Sequence, residues 1–437
     1  MSDKKVLIVA YYWPPSGGSG VQRWLKFVKY LPQHGWKPYV FTPENPSVGI
    51  KDESLLNDVP AEAEIIKFPI WEPYETFGTL SRIFSPDKNA ATQSDFVVSK
   101  QSSLFSRISL WVRGNLLIPD PRKFWVRPSV RFLKDYLGKN QIMTIITTGP
   151  PHSMHLIGYK LKKINPTLHW IVDMRDPWSE WGFLDSIRAG ELAKAKHRRL
   201  EKKILTTADE VVTITPFYVR QFERLSGRRV HLLTNGFDET DFSDFKLVRD
   251  NKFLIRHVGI VNEKCDPRPF MNAVQELCTE HPEVKETIGV EFVGQVNPVF
   301  KEFVASNEVL SFITSFTGNV PHKILMNIYQ SSAMVVLILT GYKDAEGYMP
   351  GKLFEYMATG LPILGVGPEG GDAAAFLKET NAGIMIDGNN TDEIKKFILE
   401  RFQLWRDNKA SVSTQSLAYS RKAVTGKLSE LLSGKQY

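Results

Sequence analysis

The sequence predicts an α/β protein of two successive domains, each built on a parallel sheet. Short apolar runs recur along all 437 residues, with amphipathic segments between them. That alternation of strand and helix implies a parallel sheet covered on both faces. The runs fall into two series, separated by the polar, aperiodic stretch "DFSDFKLVRDNK" (241–252). A single core rarely grows past about 250–300 residues, so a chain of this length is expected to divide.

Taken in order, "KVLIVAYY" (5–12) reads as a first strand, followed by a Pro/Gly loop and the amphipathic helix "VQRWLKFVKYLPQHG". "KPYVFTP", "IMTIITTG" (142–149), "HWIVDMRD" (169–176) and "EVVTITP" (210–216) are further strands, and "RVHLLTNGFD" closes the series. The second series runs "FLIRHVG" (253–259), "VEFVGQV" (290–296), "MVVLIL" (334–339), "PILGVG" and "AGIMID". The expected division is a Rossmann-like domain over 1–240, a linker at 241–252, and a second Rossmann-like domain over 253–410. A polar helical segment, 411–437, is expected to return to the first domain. Two such domains would face a central cleft, and open parallel sheets bind ligands beyond the carboxyl ends of their strands.

Composition narrows the class. Hydrophobic residues make up 42% and charged residues 24%, which suits a soluble enzyme. Two cysteines, Cys265 and Cys278, form neither a disulfide framework nor a metal-ligand spacing, which points to a reducing compartment. "MSDKKVLIVAYYWPP" has a short apolar run that ends in a double proline, and no small-residue cleavage site follows, so it does not read as a signal peptide. No apolar stretch approaches the roughly 20 residues that span a bilayer. A cytoplasmic protein is expected.

Net charge is +7 and unevenly placed. Between Arg107 and Lys139 eight Lys/Arg face only Asp120 and Asp135, and Trp111, Leu116, Leu117, Ile118, Phe124, Trp125 and Phe132 are interleaved. Basic residues mixed with Trp, Phe and Leu suit an anionic membrane surface, which would make the protein peripheral on the inner face of the cell membrane. A helix packed on the core with solvated arginines is the alternative. No recognition-helix or RNA-motif signature accompanies the charge, so nucleic acid is not expected as a partner.

The loops after the strands carry the candidate chemistry. In "YYWPPSGGSGVQRW" (11–24), Gly17, Gly18 and Gly20 precede a helix. Backbone N–H groups there, with Ser19, can approach a phosphate or sugar. The spacing is neither G-x-G-x-x-G nor a P-loop, and a plain strand-to-helix turn is the alternative. In "TTGPPHSMH" (147–155), His152 stands where a helix would begin, as a hydrogen-bonding group or general base, or as a structural histidine. In "DMRDPWSEW" (173–181), Asp176 can accept from hydroxyls with Arg175 beside it, or the two form a pair that pins the loop. "TNGFD" (234–238) reads as a tight hinge turn. "GIVNEKCDPRP" (259–269) offers Lys264 and Arg268 as cations for a diphosphate. In "GYMPGKLFEYMATGLPI" (347–363), Lys352 and Glu355 are three residues apart on one helix face. The cation and the helix N-terminus suit phosphates, and the carboxylate suits two vicinal ribose hydroxyls. An intrahelical salt bridge is the alternative.

These motifs together resemble the retaining family-4 glycosyltransferases of the GT-B fold, from the Gly-rich loop to "PGKLFEYMATGLPI". The subgroup with Pro-x-Lys before the glutamate is matched by Pro350, Gly351 and Lys352. The resemblance implies transfer of a sugar from a UDP- or GDP-sugar to a lipid-linked or glycan acceptor in surface-polysaccharide assembly, with retention. It gives Glu355 to the donor ribose and requires neither cofactor nor metal; no Asp-x-Asp motif is present. Many members carry an earlier glutamate where this chain has Gly347, with Glu346 its neighbour, and many have Gly-Arg where Gly259 is followed by Ile260. Gly347 therefore marks the donor-sugar position, and phosphate binding falls to Lys264 and Lys352. His152 and Asp176 are the candidate catalytic residues; Gly18 and Ser19 are candidates for lining the donor side. A nucleotide-sugar 2-epimerase of the same fold and a non-catalytic nucleotide-sugar-binding subunit remain open.

Overall fold

Seven strands build the first sheet: β1 (Lys4–Val9), β2 (Trp36–Pro43), β3 (Glu64–Phe68), β4 (Thr144–Gly149), β5 (His169–Met174), β6 (Glu210–Thr213) and β7 (His231–Leu232). They lie in the order β3-β2-β1-β4-β5-β6-β7 and every pair is parallel. Six strands build the second: β8 (Phe253–Val258), β9 (Ile288–Val293), β10 (Thr314–Thr317), β11 (Met334–Ile338), β12 (Ile363–Val366) and β13 (Gly383–Ile386), in the order β10-β9-β8-β11-β12-β13, again all parallel. These coordinates are a computed structural model, which describes residues 4–47, 51–73, 104–180, 183–341, 345–409 and 416–434.

Burial on both faces explains the continuous apolar runs. In β11, Met334, Val336 and Ile338 join one core cluster, while Val335 and Leu337 join another. Strand order then fixes where ligands belong. In each sheet the chain winds outward from a central strand and returns to its other side, between β1 and β4 in the first sheet and between β8 and β11 in the second. Such topological switch points open a crevice at the carboxyl ends of the strands.

β3 and β10 are absent from the sequence reading, and both are edge strands. An edge strand is covered on fewer sides, so its sequence needs no apolar run: "EIIKF" keeps one buried residue and "TSFT" keeps none.

The chain divides into two units, Met1–Thr234 with Thr425–Tyr437, and Asn235–Val424. The boundary thus falls inside "TNGFD", and the expected linker 241–252 belongs to the second unit. Its aromatic residues explain the difference. Phe237 and Phe242 are buried in that unit's core with Phe245 packed against them, and successive ring centroids are 5.7 and 5.5 Å apart.

The basic aromatic segment is not one surface. It forms the helices Leu104–Asn115 and Lys123–Asn140. Trp125 is core, stacked on Phe41 at 4.9 Å, and Ile118 is buried. Arg122 is also buried, its Nε 2.8 Å from Glu72 Oε1 and its Nη2 donating to the Tyr11 hydroxyl at 3.2 Å. Tyr11 in turn donates to Glu72 Oε2 at 2.8 Å. Helix periodicity sends every third or fourth residue inward, so a basic, aromatic composition overstates the outward face. Exposed are Ile108, Trp111, Leu116, Phe124 and Phe132, with Arg127, Arg131, Lys134 and Lys139, and Trp71 from the first unit packs edge-on to Phe124 at 5.1 Å. The Arg107 side chain lies outside the described residues.

At the carboxyl end of β5, Asp173 is fully buried and ion-paired to Arg23 Nη2 at 2.9 Å. Trp24 Nε1 and Thr148 Oγ1 also donate to it, at 2.7 and 2.8 Å. Arg23 continues to the carbonyls of Leu233 and Thr234, both at 2.8 Å. Burial alone would push the Asp173 carboxyl up, yet the Arg23 charge and these donors hold it below the usual range. Removing one partner of such a pair leaves a buried charge unmet. Arg23→Met is expected to destabilise the first unit by about 3–5 kcal/mol, read as an early tryptophan-fluorescence transition in urea.

Candidate functional site

The second unit's switch point gathers the C-terminal candidates. β8 ends in Arg256, His257 and Val258, and the chain leaves it through Gly259 at φ 132°. Gly259 N–H donates to the Val293 carbonyl at 2.8 Å, and the neighbouring strand leaves through Gly294 at φ 128°. A Cβ on Gly294 would stand 2.4 Å from the Gly259 carbonyl oxygen. Two glycines therefore let the ends of β8 and β9 close together and still turn away.

The helix Gly351–Thr359 follows β11 and brings Lys352 and Glu355 to the same unit. The two do not pair. Lys352 Nζ lies 3.3 Å from His257 Nε2 and would be 3.1 Å from a Cβ on Gly259. Glu355 Oε2 accepts from the Tyr329 hydroxyl at 3.4 Å. Tyr329 and Tyr356 are both buried, and the Tyr356 hydroxyl accepts from Val258 N–H at 2.8 Å. The intrahelical salt bridge is thus excluded as the reason for the spacing. Glu355 keeps partial exposure, as does Lys352, whose ammonium turns inward. Burial pulls the Lys352 ammonium down to about 8, opposed by the Cys265 side chain.

The other donor-side candidates separate. Lys264 is exposed in the loop after β8, and its ammonium has no partner among the described residues. Arg268 is different: its Nε lies 2.9 and 2.8 Å from the two carboxylate oxygens of Asp266. That ion pair engages Nε and Nη2 of an exposed side chain, so part of the Arg268 guanidinium is already met. Gly347 is buried at the end of a 3-10 turn, Ala345–Gly347, and its neighbour Glu346 is exposed.

In the first unit, Gly18 precedes the helix Ser19–Tyr30 at φ 89°, a left-handed conformation that favours glycine. The Ser19 side chain lies outside what is described. Arg175 does not bind Asp176. Its guanidinium donates to three carbonyls, Gly149 at 3.0 Å, Gly20 at 3.0 Å and Pro150 at 2.7 Å, tying the loops after β1 and β4 across their switch point. Asp176 is left without a hydrogen bond among the described residues. Burial pushes its carboxyl up; the Arg175 charge opposes this and Asp173 adds to it. A poised, unpartnered carboxyl is what a general base requires.

His152 heads the helix Ser153–Ile164, buried, with Nδ1 unpartnered. Its ring stacks on Trp178 at 4.8 Å and 2°. Burial first, then His155, His197 and Arg175, hold its basicity well below the usual value, so it is neutral at pH 7 and suits hydrogen bonding better than proton abstraction. The sequence reading missed the array that holds Trp178. Trp178 Nε1 donates to His197 Nδ1 at 2.7 Å, and Trp178 N–H to Glu201 Oε1 at 2.9 Å. His197 and Glu201 are one turn apart on the helix Glu191–Thr207, and their spacing was the available signal. His257 and Tyr329 were missed too; for His257 the signal was a polar pair, Arg256-His257, inside an otherwise apolar central strand.

Among the described residues, no group of three or more His, Cys, Asp or Glu could hold a metal ion.

Residues 256–403 match the family described as "Glycosyl transferases group 1". The match begins inside β8 and takes in the rest of the second sheet and the helix with Lys352 and Glu355. The second unit thus carries a glycosyltransferase group 1 domain, and the expected enzyme class, a glycosyltransferase, stands with it. No curated protein matches the chain in sequence. Solved structures share the two-sheet fold. A glycosyltransferase from Rickettsia africae has 12% identity and a TM-score of 0.60, with 100% of this chain and 99% of that one covered. Alr3699/HepE from Anabaena, solved in complex with UDP-glucose, has 12% identity and a TM-score of 0.58, with 98% and 99% covered. WaaG, a glycosyltransferase involved in lipopolysaccharide biosynthesis, has 13% identity and a TM-score of 0.56, with 98% and 100% covered. At such identities the likeness shows the fold alone, two Rossmann-like domains as in GT-B structures.

The paired glycines give a direct check. Gly294→Ala forces both a disfavoured φ and a clash with the Gly259 carbonyl. It is expected to destabilise the second unit by about 1–3 kcal/mol in urea denaturation, whereas Gly318→Ala, with open space at its Cβ, should be close to neutral.

Proposed function

We propose that the protein transfers a sugar from a UDP- or GDP-linked donor to a lipid-linked or glycan acceptor in surface-polysaccharide assembly, with retention and without metal. The observation that supports this most is the separate partnering of Lys352 and Glu355. One helix of a glycosyltransferase group 1 domain presents a cation on a buried imidazole and a carboxylate on a buried tyrosine, beside a strand end left open by Gly259. A carboxylate and a cation five ångströms or so apart along a helix match a ribose and a diphosphate. In this reading Glu355 accepts from two ribose hydroxyls, and Lys352 and Lys264 meet the phosphates.

The chemistry then asks for charge stabilisation. The bond from the sugar C1 to the β-phosphate oxygen breaks, and the electron pair leaves with the phosphate. Two ammonium groups stabilise that developing charge without a metal ion. The acceptor hydroxyl forms the new bond to C1, and its proton goes to the departing phosphate. Asp176 and His152 serve the acceptor as hydrogen-bonding groups that orient its hydroxyl, His152 in the neutral form. Gly18 and Ser19 lie on a loop suited to backbone contact with sugar or phosphate. Gly347 leaves room at the donor sugar.

Titration calorimetry with UDP and GDP tests the donor site. A hydrogen bond to a charged group contributes roughly 1.5–3 kcal/mol, so Glu355→Gln should weaken nucleotide binding by about tenfold or more. Undiminished affinity would remove the ribose assignment. Incubation with UDP-sugars in the absence of acceptor should leave them unchanged, and an epimer would point to the 2-epimerase instead.

The exposed part of the basic segment supports a membrane-facing role, with Trp111, Leu116 and Phe124 as apolar contacts and Arg127, Arg131 and Lys134 as cations. Among the described residues no helix is long and apolar enough to cross a membrane. Trp111→Ser with Phe124→Ser should cut co-sedimentation with anionic phosphatidylglycerol vesicles by about tenfold, since each removes an exposed aromatic ring that would enter the lipid interface. Trp125→Ala should instead destabilise the fold.

A further inference from the structure

His257 is wholly buried in the central strand of the second sheet, yet none of the roles above uses it. Its Nδ1 lies 3.1 Å from the Val336 carbonyl, across the switch point between β8 and β11. A carbonyl only accepts, so Nδ1 carries the proton. Nε2 faces the Lys352 ammonium at 3.3 Å, and an ammonium only donates, so Nε2 must be the bare lone pair. Both contacts are satisfied by one form alone, the neutral Nδ1–H imidazole. The Cys265 thiol lies 3.8 Å from Nε2 and donates to the Ile338 carbonyl at 3.5 Å.

We propose that His257 is a positioning residue: anchored on Val336, it holds the Lys352 ammonium at the phosphate position as its acceptor. The inference rests on the reading of Lys352 as a phosphate ligand. Among the described residues nothing else nearby takes that part. Glu355, one turn along, contacts Tyr329, and Asp266, next to Cys265, is paired with Arg268. Burial and the facing Lys352 charge keep His257 uncharged, and burial keeps Cys265 a thiol. Among the described residues Lys352 thus has an acceptor but no anion, and an incoming diphosphate supplies the anion. Because burial leaves Lys352 titrating near about 8, nucleotide binding restores its proton, and affinity falls as pH rises through that value.

Substitutions separate anchoring from holding. His257→Asn keeps an amide N–H for Val336 but has nothing at the Nε2 position; His257→Met keeps bulk and offers only a weak acceptor. His257→Gln can return an acceptor to Lys352. The readouts are the ligand-free titration of Lys352, from lysine ¹³Cε resonances assigned with Lys352→Met, and calorimetry with UDP and GDP at about pH 7 and about pH 9. The Asn and Met variants should lower the Lys352 midpoint by about one pH unit, equivalent to about tenfold in proton affinity, with the Gln variant near wild type. For whichever nucleotide binds, they should lose about tenfold in affinity at the higher pH and much less at the lower. A midpoint unchanged in both Asn and Met would overturn the proposal. A lowered midpoint in a protein that binds neither nucleotide would instead remove the donor-site reading and leave the His257–Lys352 relation standing.

Discussion

A charge placed below the surface of a parallel sheet must be met by a partner of matching hydrogen-bond capacity, and this requirement organises the carboxyl ends of both sheets. The desolvation of an unmet ion outweighs any single contact a side chain can make elsewhere. Arg23 and Asp173 answer it as an ion pair with four further donors and acceptors. Arg175 answers it with three carbonyls. Lys352 answers it with a neutral imidazole.

The three solutions differ in what they leave over. Arg23 and Asp173 neutralise each other, so they tie the helix Ser19–Tyr30 and the segment after β7 to the end of β5 but offer nothing to a ligand. Arg175 keeps its charge while its donors are engaged, which fixes two loops and leaves Asp176 without a hydrogen bond among the described residues. Lys352 keeps its charge and has one acceptor among the described residues, so it retains donors for a phosphate. The same burial that makes the first pair structural makes the last group responsive.

The interior strands were legible in the sequence because interior parallel strands are covered on both faces and must read as apolar runs. Two of the four edge strands were not: "EIIKF" and "TSFT" lack that constraint. The helix face of Lys352 and Glu355 followed from a spacing of three, which the helix preserves. Their separate partners did not follow, because His257 and Tyr329 lie 95 and 26 residues away in the chain and meet them only through the fold. Arg122 and Trp125 misled for a related reason. Composition places a residue in a segment, but the side of the helix it occupies depends on what that helix packs against.

The most direct test of the donor site is a crystal structure with the nucleotide that the protein binds. The account predicts the ribose hydroxyls within hydrogen-bond distance of the Glu355 carboxylate and the diphosphate at Lys352 Nζ, with His257 still on Val336. A nucleotide seated away from the helix Gly351–Thr359, or one that leaves Glu355 on Tyr329 and Lys352 without a phosphate contact, would contradict it.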